Sequence, residues 1–496
     1  MTEPTEPTEP RVPTDPAGTT DPDAGEPTPP ARPVGPVGPG GPGKGGEPQE
    51  AELLRTILRA PGYLKALVFS AFVGIPVSLV AFWFLAGLHA LEHAVWVSLP
   101  NAMGRDAPPW WWPLPLLLIA GVAVGLVVRH LPGAGGHIPA AGLATGGTKP
   151  VALPGVLIAA AAGLPLGAVL GPEAPLIALG GGLALLLRDL TRAPTSPLTT
   201  AVLGAAGAGA AIAAIFGNPL VAAVLLIEVA GVGGPRLFAV MLPALLSSGI
   251  GSLVFTGFGR WTGLGTGKLG LKVSGPVRLD APDVLWGMAI ALGCALLMRP
   301  VQLVARRVAV FVAGGGWPRT VLCAIGAAAC AALYALITGR SSAEAALSGQ
   351  ATLAQLAADP QAWGIGALIA ILLFKGVAYA LCLGSLRGGP IFPALFLGAA
   401  AGVLLAPLPG LGVVPAMTAG MAATTVAVLR LPVSSVVLVV LLMGSPAMMP
   451  IAILAAVIAF VTTELLPALP VLPPAEPEPA PAGRPAGAGA GAGRAP

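Results

Sequence analysis

The sequence predicts an all-α, polytopic membrane protein built from two related halves, and three observations carry this prediction. Mean hydropathy is +0.84, and only 10% of the residues are charged, whereas soluble domains have about 25%. Residues 171–180 and 389–398 both fit the pattern G-P-x-x-P-x-x-x-L-G, 218 positions apart. Residues 219–224 and 432–437 form a second similar pair, 213 positions apart. Helices interrupted by Gly and Pro at corresponding positions of two halves are typical of transporters.

The ends of the chain differ in composition from the apolar body. Residues 1–50 are rich in Pro, Gly and Thr and contain nine acids and three bases, a net charge of −6. Such a segment buries too little apolar surface to offset its chain entropy, so we predict a disordered acidic tail. Residues 471–496, rich in Pro, Ala and Gly, predict a second disordered tail. The membrane domain is then 51–470, and it carries about +10 of net charge because the chain as a whole carries +4.

Apolar segments divide this domain into a first half, 62–258, and a second half, 283–466, joined by a polar, Gly-rich connector. The segments lie at 63–99, 112–130, 151–170, 173–188, 198–215, 219–230 and 236–258, and then at 283–312, 318–338, 362–384, 391–406, 413–428, 432–444 and 447–466. Several are shorter than the roughly 20 residues that cross a bilayer. The short ones predict half-spanning helices, whose broken backbone must be buried in protein or line a polar cavity.

Three of the short helices begin at a Gly-x-x-x-Pro pattern, at 135–139, 171–175 and 389–393. The first turn of a helix has free N–H groups and a partial positive charge, which together make an anion site. Glycine lets the backbone approach a ligand, and proline suits the first turn because its missing N–H has no intrahelical partner there. These three helix starts therefore predict anion-binding elements.

The order of these motifs resembles the CLC family of chloride channels and chloride/proton antiporters, over about residues 62–466. The first motif is Gly135-Gly136-His137-Ile138-Pro139, and Gly171 to Pro175 and Gly388 to Pro393 follow it. Further matches are Phe216-x-x-Pro219-Leu220, the run from Lys375 to Ser385, and Arg430-x-Pro432. The resemblance implies chloride transport across the cell membrane by a homodimer, each subunit an inverted repeat with its own pore, and neither an enzyme nor a cofactor.

The resemblance also implies which residues form the site. Glu173 matches the family's gate, whose carboxylate competes with chloride for the outer anion site and swings away when protonated. The alternative for Glu173 is a helix-capping acid with no gating role. The residues expected to bind the anion are Gly135, Gly136, His137, Ile138, Pro139, Gly171, Ala174, Pro175, Gly389, Ile391 and Phe392.

The sequence departs from the family pattern around the anion path. Gly136 stands where the family usually has a serine, and His137 either adds positive charge below its pKa or is a neutral packing histidine. Pro390 removes one backbone N–H, so that only Ile391 and Phe392 can donate from that turn. No tyrosine matches the family's inner gate, because Tyr63, Tyr334 and Tyr379 lie elsewhere in the sequence.

A second departure concerns coupling to protons. Antiporters of the family usually have two adjacent acids after the helix that begins at Pro219, and here the pair reads Glu228-Val229. The missing acid favours uncoupled, channel-like conduction, with chloride/proton antiport and fluoride export as alternatives. Glu228 is then a structural acid rather than a proton relay. Lys375 is a costly intramembrane cation, which either raises the potential of the pore or pairs with an acid.

Other function classes find little support in the sequence. His89 and His93 share a helix face with Glu92 nearby, but no third ligand accompanies them, so we predict no metal site. The four cysteines lie in apolar runs without metal-ligand spacing. An intramembrane hydrolase needs a paired nucleophile and base, which the apolar segments lack. The expected partners are chloride or another small anion, protons if transport is coupled, the lipid bilayer and a second copy of the chain, but no nucleic acid.

Overall fold

A computed structural model of the chain describes residues 58–143, 148–192, 195–230, 235–264, 270–273 and 279–472, together with residues 52, 55 and 56. The described residues are mainly helical and contain no β-strand, in agreement with the predicted all-α class. Among these residues, eight helices are long and apolar enough to cross a membrane, and five more apolar helices have 10–17 residues. The predicted disordered tails lie outside the described residues, apart from Val471 and Leu472.

In the described part of the chain, fourteen principal helices form two sets of seven. The first set is α1 (Pro61–His93), α2 (Pro113–His130), α3 (Leu153–Gly163), α4 (Glu173–Leu190), α5 (Pro197–Phe216), α6 (Pro219–Ala230) and α7 (Pro235–Thr262). The second set is α8 (Ala281–Ala313), α9 (Trp317–Thr338), α10 (Ile365–Ser385), α11 (Ile391–Leu405), α12 (Val413–Leu429), α13 (Pro432–Met443) and α14 (Met449–Leu465). Each helix of the first set therefore has its counterpart seven places later.

The packing of the two sets confirms the repeat. In the first half α5 packs against α1, α4, α6 and α7, and α2 packs against α3. In the second half α12 packs in the same way against α8, α11, α13 and α14, and α9 against α10. Across the halves, α2 meets its own counterpart α9, and α6 meets α13. Helices that pair with their own counterparts place the two halves around a common axis.

The repeated motifs meet at the centre of this arrangement. The Gly171 N–H donates to the Gly389 carbonyl at 2.8 Å, and the Gly389 N–H donates to the Gly171 carbonyl at 2.6 Å. The two segments run antiparallel, so the helices that follow them, α4 and α11, approach this point from opposite directions. This is the relation expected of an inverted repeat.

The last glycine of each repeated motif has a packing role. A Cβ on Gly180 of α4 would lie 2.3 Å from the Gly207 carbonyl oxygen of α5, and a Cβ on Gly398 of α11 would lie 2.3 Å from the Gly420 carbonyl oxygen of α12. Both distances are far shorter than a van der Waals contact. Small residues let membrane helices approach this closely, so the repeat includes the same tight crossing twice.

Three stretches differ from the boundaries that the sequence predicts. The helix α7 continues to Thr262, into the predicted connector, because Phe258 packs edge-on against Phe82 and Trp83 of α1. The predicted segment 151–170 is helical only as far as Gly163: Pro165 and Gly167, with a φ of 113°, lead the chain into non-helical backbone. Between α9 and α10, where no element is predicted, two short helices form at Ser342–Ala345 and Gln350–Ala358.

Candidate functional site

Glu173 lies at the first position of α4, where the first and second halves meet. Its side chain is fully buried. Oε1 accepts a hydrogen bond of 3.0 Å from the main-chain N–H of Phe392, at the start of α11. Oε2 is equally buried and has no hydrogen-bond partner among the described residues. A carboxylate of one half therefore occupies the N-terminus of a helix of the other half, where a partial positive charge favours an anion.

Gly171 and Gly389 leave the space that this carboxylate fills. A Cβ on Gly389 would lie 1.7 Å from Glu173 Oε2, and a Cβ on Gly171 would lie 2.2 Å from the same atom. A side chain at either position would force the carboxylate out of the place that it occupies. The sequence predicts that glycine permits close approach of a ligand at these two points, and here the approaching group is the carboxylate of Glu173 itself.

Apolar side chains surround the carboxylate. Ile391, Phe392 and Pro175 are buried, and Ala174 is half-buried. The ring of Phe216, at the end of α5, lies 6.1 Å from that of Phe392, measured between centroids. Water has little access through such a wall, so the charge of Glu173 interacts strongly with the few polar groups that remain.

Tyr379, which the sequence does not assign to the anion site, lies beside it. Its fully buried hydroxyl donates a 2.6 Å hydrogen bond to the carbonyl of Pro390. Pro390 offers no N–H, yet its carbonyl orients the turn that carries Ile391 and Phe392. The signal in the sequence is the spacing of four between Lys375 and Tyr379, which places two polar side chains on one face of an apolar helix.

The first motif, residues 135–139, begins no apolar helix, so the predicted helix start is wrong at this point. Among its described residues, the loop between α2 and the next α-helix, at Leu153, contains only the short 3₁₀ turns Pro132–Gly135, Pro139–Ala141 and Pro150–Ala152. Four consecutive residues of this loop, 133–136, have left-handed φ values, including 47° at Ala134 and 97° at Gly136. A serine at position 136 would be strained at this φ, and its Cβ would lie 3.1 Å from a methyl group of Val156. The conformation of the loop thus accounts for the glycine where the family usually has a serine.

Arg387 holds this loop and is missing from the sequence-predicted site. It follows α10 by two residues, is 7% exposed, and its Nε donates to the Ala134 carbonyl at 3.1 Å. His137 lies close enough to feel its charge. His137 is exposed at the surface of the loop, but protein atoms displace part of the water around its imidazole. This loss of water and the positive charge of the Arg387 guanidinium both lower the pKa of His137. This shift favours the neutral histidine of the two alternatives.

A cavity of about 1020 Å³ leads to the start of α4. Its lining includes Pro172 and Phe216 next to the carboxylate, and His89, Glu92 and Arg260 farther out. His89, Glu92 and His93 belong to no group of three metal-ligating residues among those described. The cavity has a partly polar lining and reaches Pro172, which precedes the buried Glu173 in the chain.

Glu228 and Lys375 make specific contacts away from the Glu173 carboxylate. Glu228, near the end of α6, accepts hydrogen bonds from the N–H groups of Val433 and Ser434 at 2.9 and 2.7 Å and from the Ser434 hydroxyl at 2.5 Å. It therefore caps α13. The ammonium of Lys375 is fully buried and lies 2.8–3.4 Å from four carbonyl oxygens, those of residues 344–347. It also lies 5.2 Å from the ring of Phe396.

Known proteins resemble this chain in sequence and in fold. A family model described as voltage gated chloride channel matches residues 120–464. A candidate ion-transport protein, YfeO, of Escherichia coli (strain SMS-3-5) is 33% identical over 156 residues, which are 31% of this chain and 36% of that protein. The YfeO protein of Salmonella newport is 31% identical over 189 residues, 37% of this chain and 45% of that protein. The matched region thus spans less than half the length of these relatives.

Solved structures share the fold at low sequence identity. A slow cyanobacterial Cl⁻/H⁺ antiporter superposes with a TM-score of 0.66 at 18% identity, covering 80% of this chain and 94% of that one. A CLC-type fluoride/proton antiporter gives 0.64 at 19% identity, covering 81% and 96%. A eukaryotic CLC transporter gives 0.62 at 16% identity, covering 84% and 73%. The family-model match and the eight candidate spans among the described residues make the chain a multi-pass protein of the cell membrane.

Proposed function

Because the chain belongs to the voltage-gated chloride channel family, we propose that it carries chloride across the cell membrane and that Glu173 gates the path. The observation behind this proposal is the position of the Glu173 carboxylate, which accepts the Phe392 N–H while its second oxygen is buried without a partner among the described residues. An acid that served only as a helix cap would have both oxygens hydrogen-bonded or solvated, since burying half of a carboxylate without a partner is costly.

The carboxylate of Glu173 resembles the transported anion in its charge and in the groups that bind it. Both carry one negative charge, and both are stabilised by the N–H groups and partial positive charge at the start of α11. They cannot occupy this place together, because like charges repel strongly in a site with little water. Protonation removes the charge of Glu173 and weakens the hydrogen bond from the Phe392 N–H, because a neutral carboxyl group is a weaker acceptor than a carboxylate. The anion then replaces the side chain.

We favour uncoupled, channel-like conduction over proton antiport. An inner proton relay needs an acid that is free to exchange protons, and Val229 cannot serve. Glu228 is held by three hydrogen bonds at the start of α13, which suits a structural cap. Chloride/proton antiport and fluoride export are the alternatives, since a Cl⁻/H⁺ antiporter and a fluoride/proton antiporter share this fold.

Flux from liposomes tests the proposal. Wild-type protein, E173Q and E464Q are purified, checked for oligomeric state by mass in detergent, and reconstituted at equal density. Glu464 is a surface acid paired with Arg430 at 3.2 Å, so its substitution controls for loss of one carboxylate. We expect chloride efflux from the wild type that rises as pH falls, pH-independent efflux from E173Q, and wild-type behaviour from E464Q.

Three outcomes would contradict parts of this proposal. Chloride efflux no greater than that of protein-free liposomes at every pH would end the transport proposal. Uphill proton movement driven by a chloride gradient, recorded in the same vesicles with a pH-sensitive dye, would replace the channel by an antiporter. Fluoride efflux that far exceeds chloride efflux would change the substrate and leave the gate in place. The mass in detergent tests the expected homodimer separately.

A further inference from the structure

Two arginines of α8, Arg299 and Arg306, carry positive charge where α8 packs against α12 and α14. They are seven positions apart, which is about two helical turns, so they share one face of α8. Arg299 and a third arginine, Arg430, lie close enough to Arg306 for their charges to repel its own. Arg430 pairs with Glu464 at 3.2 Å, whereas no acid among the described residues pairs with Arg299 or Arg306. We call these two residues the arginine pair.

The arginine pair lies at the level of a membrane surface. About 20 helical residues cross the hydrocarbon core of a bilayer, and Arg299 comes 18 positions after Ala281, the first residue of α8. Arg430 directly follows the last residue of α12, so this end of α12 reaches the same level. Long basic side chains at this depth place their guanidinium groups among the lipid headgroups.

The protein satisfies the guanidinium groups of the arginine pair only in part. Arg299 Nη2 donates to the carbonyl of Pro467, and Arg306 Nη1 donates to the carbonyl of Pro470 at 2.9 Å. Arg299 Nη1 and Arg306 Nε are buried and have no hydrogen-bond partner among the described residues. A buried donor without an acceptor costs free energy, and more so when it is charged. The arginine pair therefore lacks acceptor oxygens and negative charge.

A phosphate group attached to acyl chains supplies both. Phosphate oxygens are negatively charged acceptors, and a guanidinium can bind two of them with parallel N–H donors. Leu296, Val304 and Val310 of α8 are exposed, so an apolar surface adjoins the arginine pair on the same helix. That surface favours a lipid over free phosphate. Basic pockets between membrane helices bind anionic lipid headgroups in this way.

We propose that the arginine pair binds the phosphate of an anionic phospholipid whose acyl chains lie along the exposed apolar side chains of α8. The headgroup oxygens accept hydrogen bonds from Arg299 and Arg306. Residues 466–472, whose carbonyls meet the two arginines, form no helix and are mostly exposed, so the headgroup can displace this segment without breaking a helix. This lipid site does not depend on which ion the protein transports.

Native mass spectrometry of the full chain in detergent, titrated with phosphatidylglycerol, tests the site. The variants are Arg306→Gln and, as the matched control, Arg307→Gln. Arg307 is the next residue of α8 and is exposed, so the control loses the same charge at the same depth. We expect Arg306→Gln to weaken lipid binding at least about tenfold, as the loss of a charge-assisted hydrogen bond predicts, and Arg307→Gln to change it less than about twofold. Equal weakening in both variants would reduce the effect to general attraction by surface charge and overturn the proposal.

Two further ligands distinguish the sources of the phosphate. We expect phosphatidylcholine to bind the wild type more weakly than phosphatidylglycerol, and inorganic phosphate not to displace bound phosphatidylglycerol. Equal binding of the two lipids would show that charge makes no contribution. Displacement by inorganic phosphate would overturn the lipid as the ligand and leave a site for a free anion.

Electron cryomicroscopy of the wild type in phosphatidylglycerol nanodiscs needs no variant. We expect headgroup density within hydrogen-bonding reach of Arg299 and Arg306. Ordered lipid elsewhere with none at the arginine pair would contradict the proposal. The sequence also contains Glu476 and Glu478 shortly after Leu472. A carboxylate of either residue against the arginine pair would assign the site to the C-terminal tail and overturn the lipid.

Discussion

The Glu228 carboxylate joins the two halves of the protein, and its removal has a predictable cost. It accepts three hydrogen bonds from Val433 and Ser434 at the start of α13. Ser434 is 2% exposed, whereas Val433 is exposed, so two of the three bonds are protected from water. The cap also places a negative charge at a helix N-terminus, where the helix dipole stabilises it.

Hydrogen bonds to charged groups are worth about 1.5–3 kcal/mol each. When the carboxylate is removed, water can bind the N–H of Val433 in its place. Glu228 is also partly exposed, so the three hydrogen bonds together stabilise the fold by less than the sum of these values. We therefore expect Glu228→Ala to lower the free energy of unfolding by about 2–4 kcal/mol. For Glu228→Gln, which keeps one acceptor oxygen, we expect about 1–2 kcal/mol.

Equilibrium unfolding in mixed detergent micelles, followed by circular dichroism, measures these differences. Glu464→Gln is the matched control, since Glu464 is 45% exposed and pairs with an equally exposed arginine. Its loss should cost less than about 1 kcal/mol. The capping argument is refuted if Glu228→Ala costs no more than Glu464→Gln. A Glu228→Gln protein with wild-type stability but altered proton coupling would make Glu228 a proton relay instead.

Three further predictions, one of them with a matched control substitution, follow from the contacts of individual residues. Gly398→Ala places a Cβ 2.3 Å from the Gly420 carbonyl oxygen, so we expect a loss of about 1–3 kcal/mol in unfolding free energy. Gly376→Ala, where a Cβ meets nothing within 4 Å, should cost nothing, and equal losses in both would contradict the tight crossing. Lys375→Met removes the hydrogen-bond donor of four carbonyls, so we expect a thermal unfolding temperature below that of the wild type. An unchanged unfolding temperature with slower chloride flux would instead indicate that Lys375 raises the electrostatic potential of the pore. His137→Asn should leave chloride flux at neutral pH within about twofold of the wild type, because the lowered pKa keeps His137 uncharged; a large fall in flux would show that the imidazole is charged in the folded protein.

The sequence predicts most of the helices and the meeting of the repeated motifs. Apolar runs mark helices directly, and Gly and Pro mark the points where the helices break, so the starts of α4 and α11 follow from local residue types. The end of α7 does not follow in this way. Gly257, Gly259 and Gly263 suggest a connector, but aromatic packing of Phe258 against α1 extends the helix to Thr262.

The candidate site is predictable where one residue type serves one local purpose. Glu173 and the glycines at 171 and 389 belong to motifs, and the structure brings all three together. Arg387 carries no local signal of this kind, and the spacing of Tyr379 from Lys375 indicates only that the two side chains share a helix face. Arg387 contacts Ala134, 253 positions earlier in the chain, and Tyr379 acts through a carbonyl that any residue would possess. Such contacts depend on how the halves pack, which spacing along the chain does not encode.

The paired hydrogen bonds between Gly171 and Gly389 bear on the speed of the proposed gate. They fix the backbone on both sides of the Glu173 carboxylate, so a hinge motion at this point would have to break both bonds. Rotation about the side-chain bonds of Glu173 needs no such rupture, and side-chain rotation belongs to the fast end of protein motion. Slow turnover would then reflect the waiting time for a proton or for the next anion, and not a rearrangement of the helices.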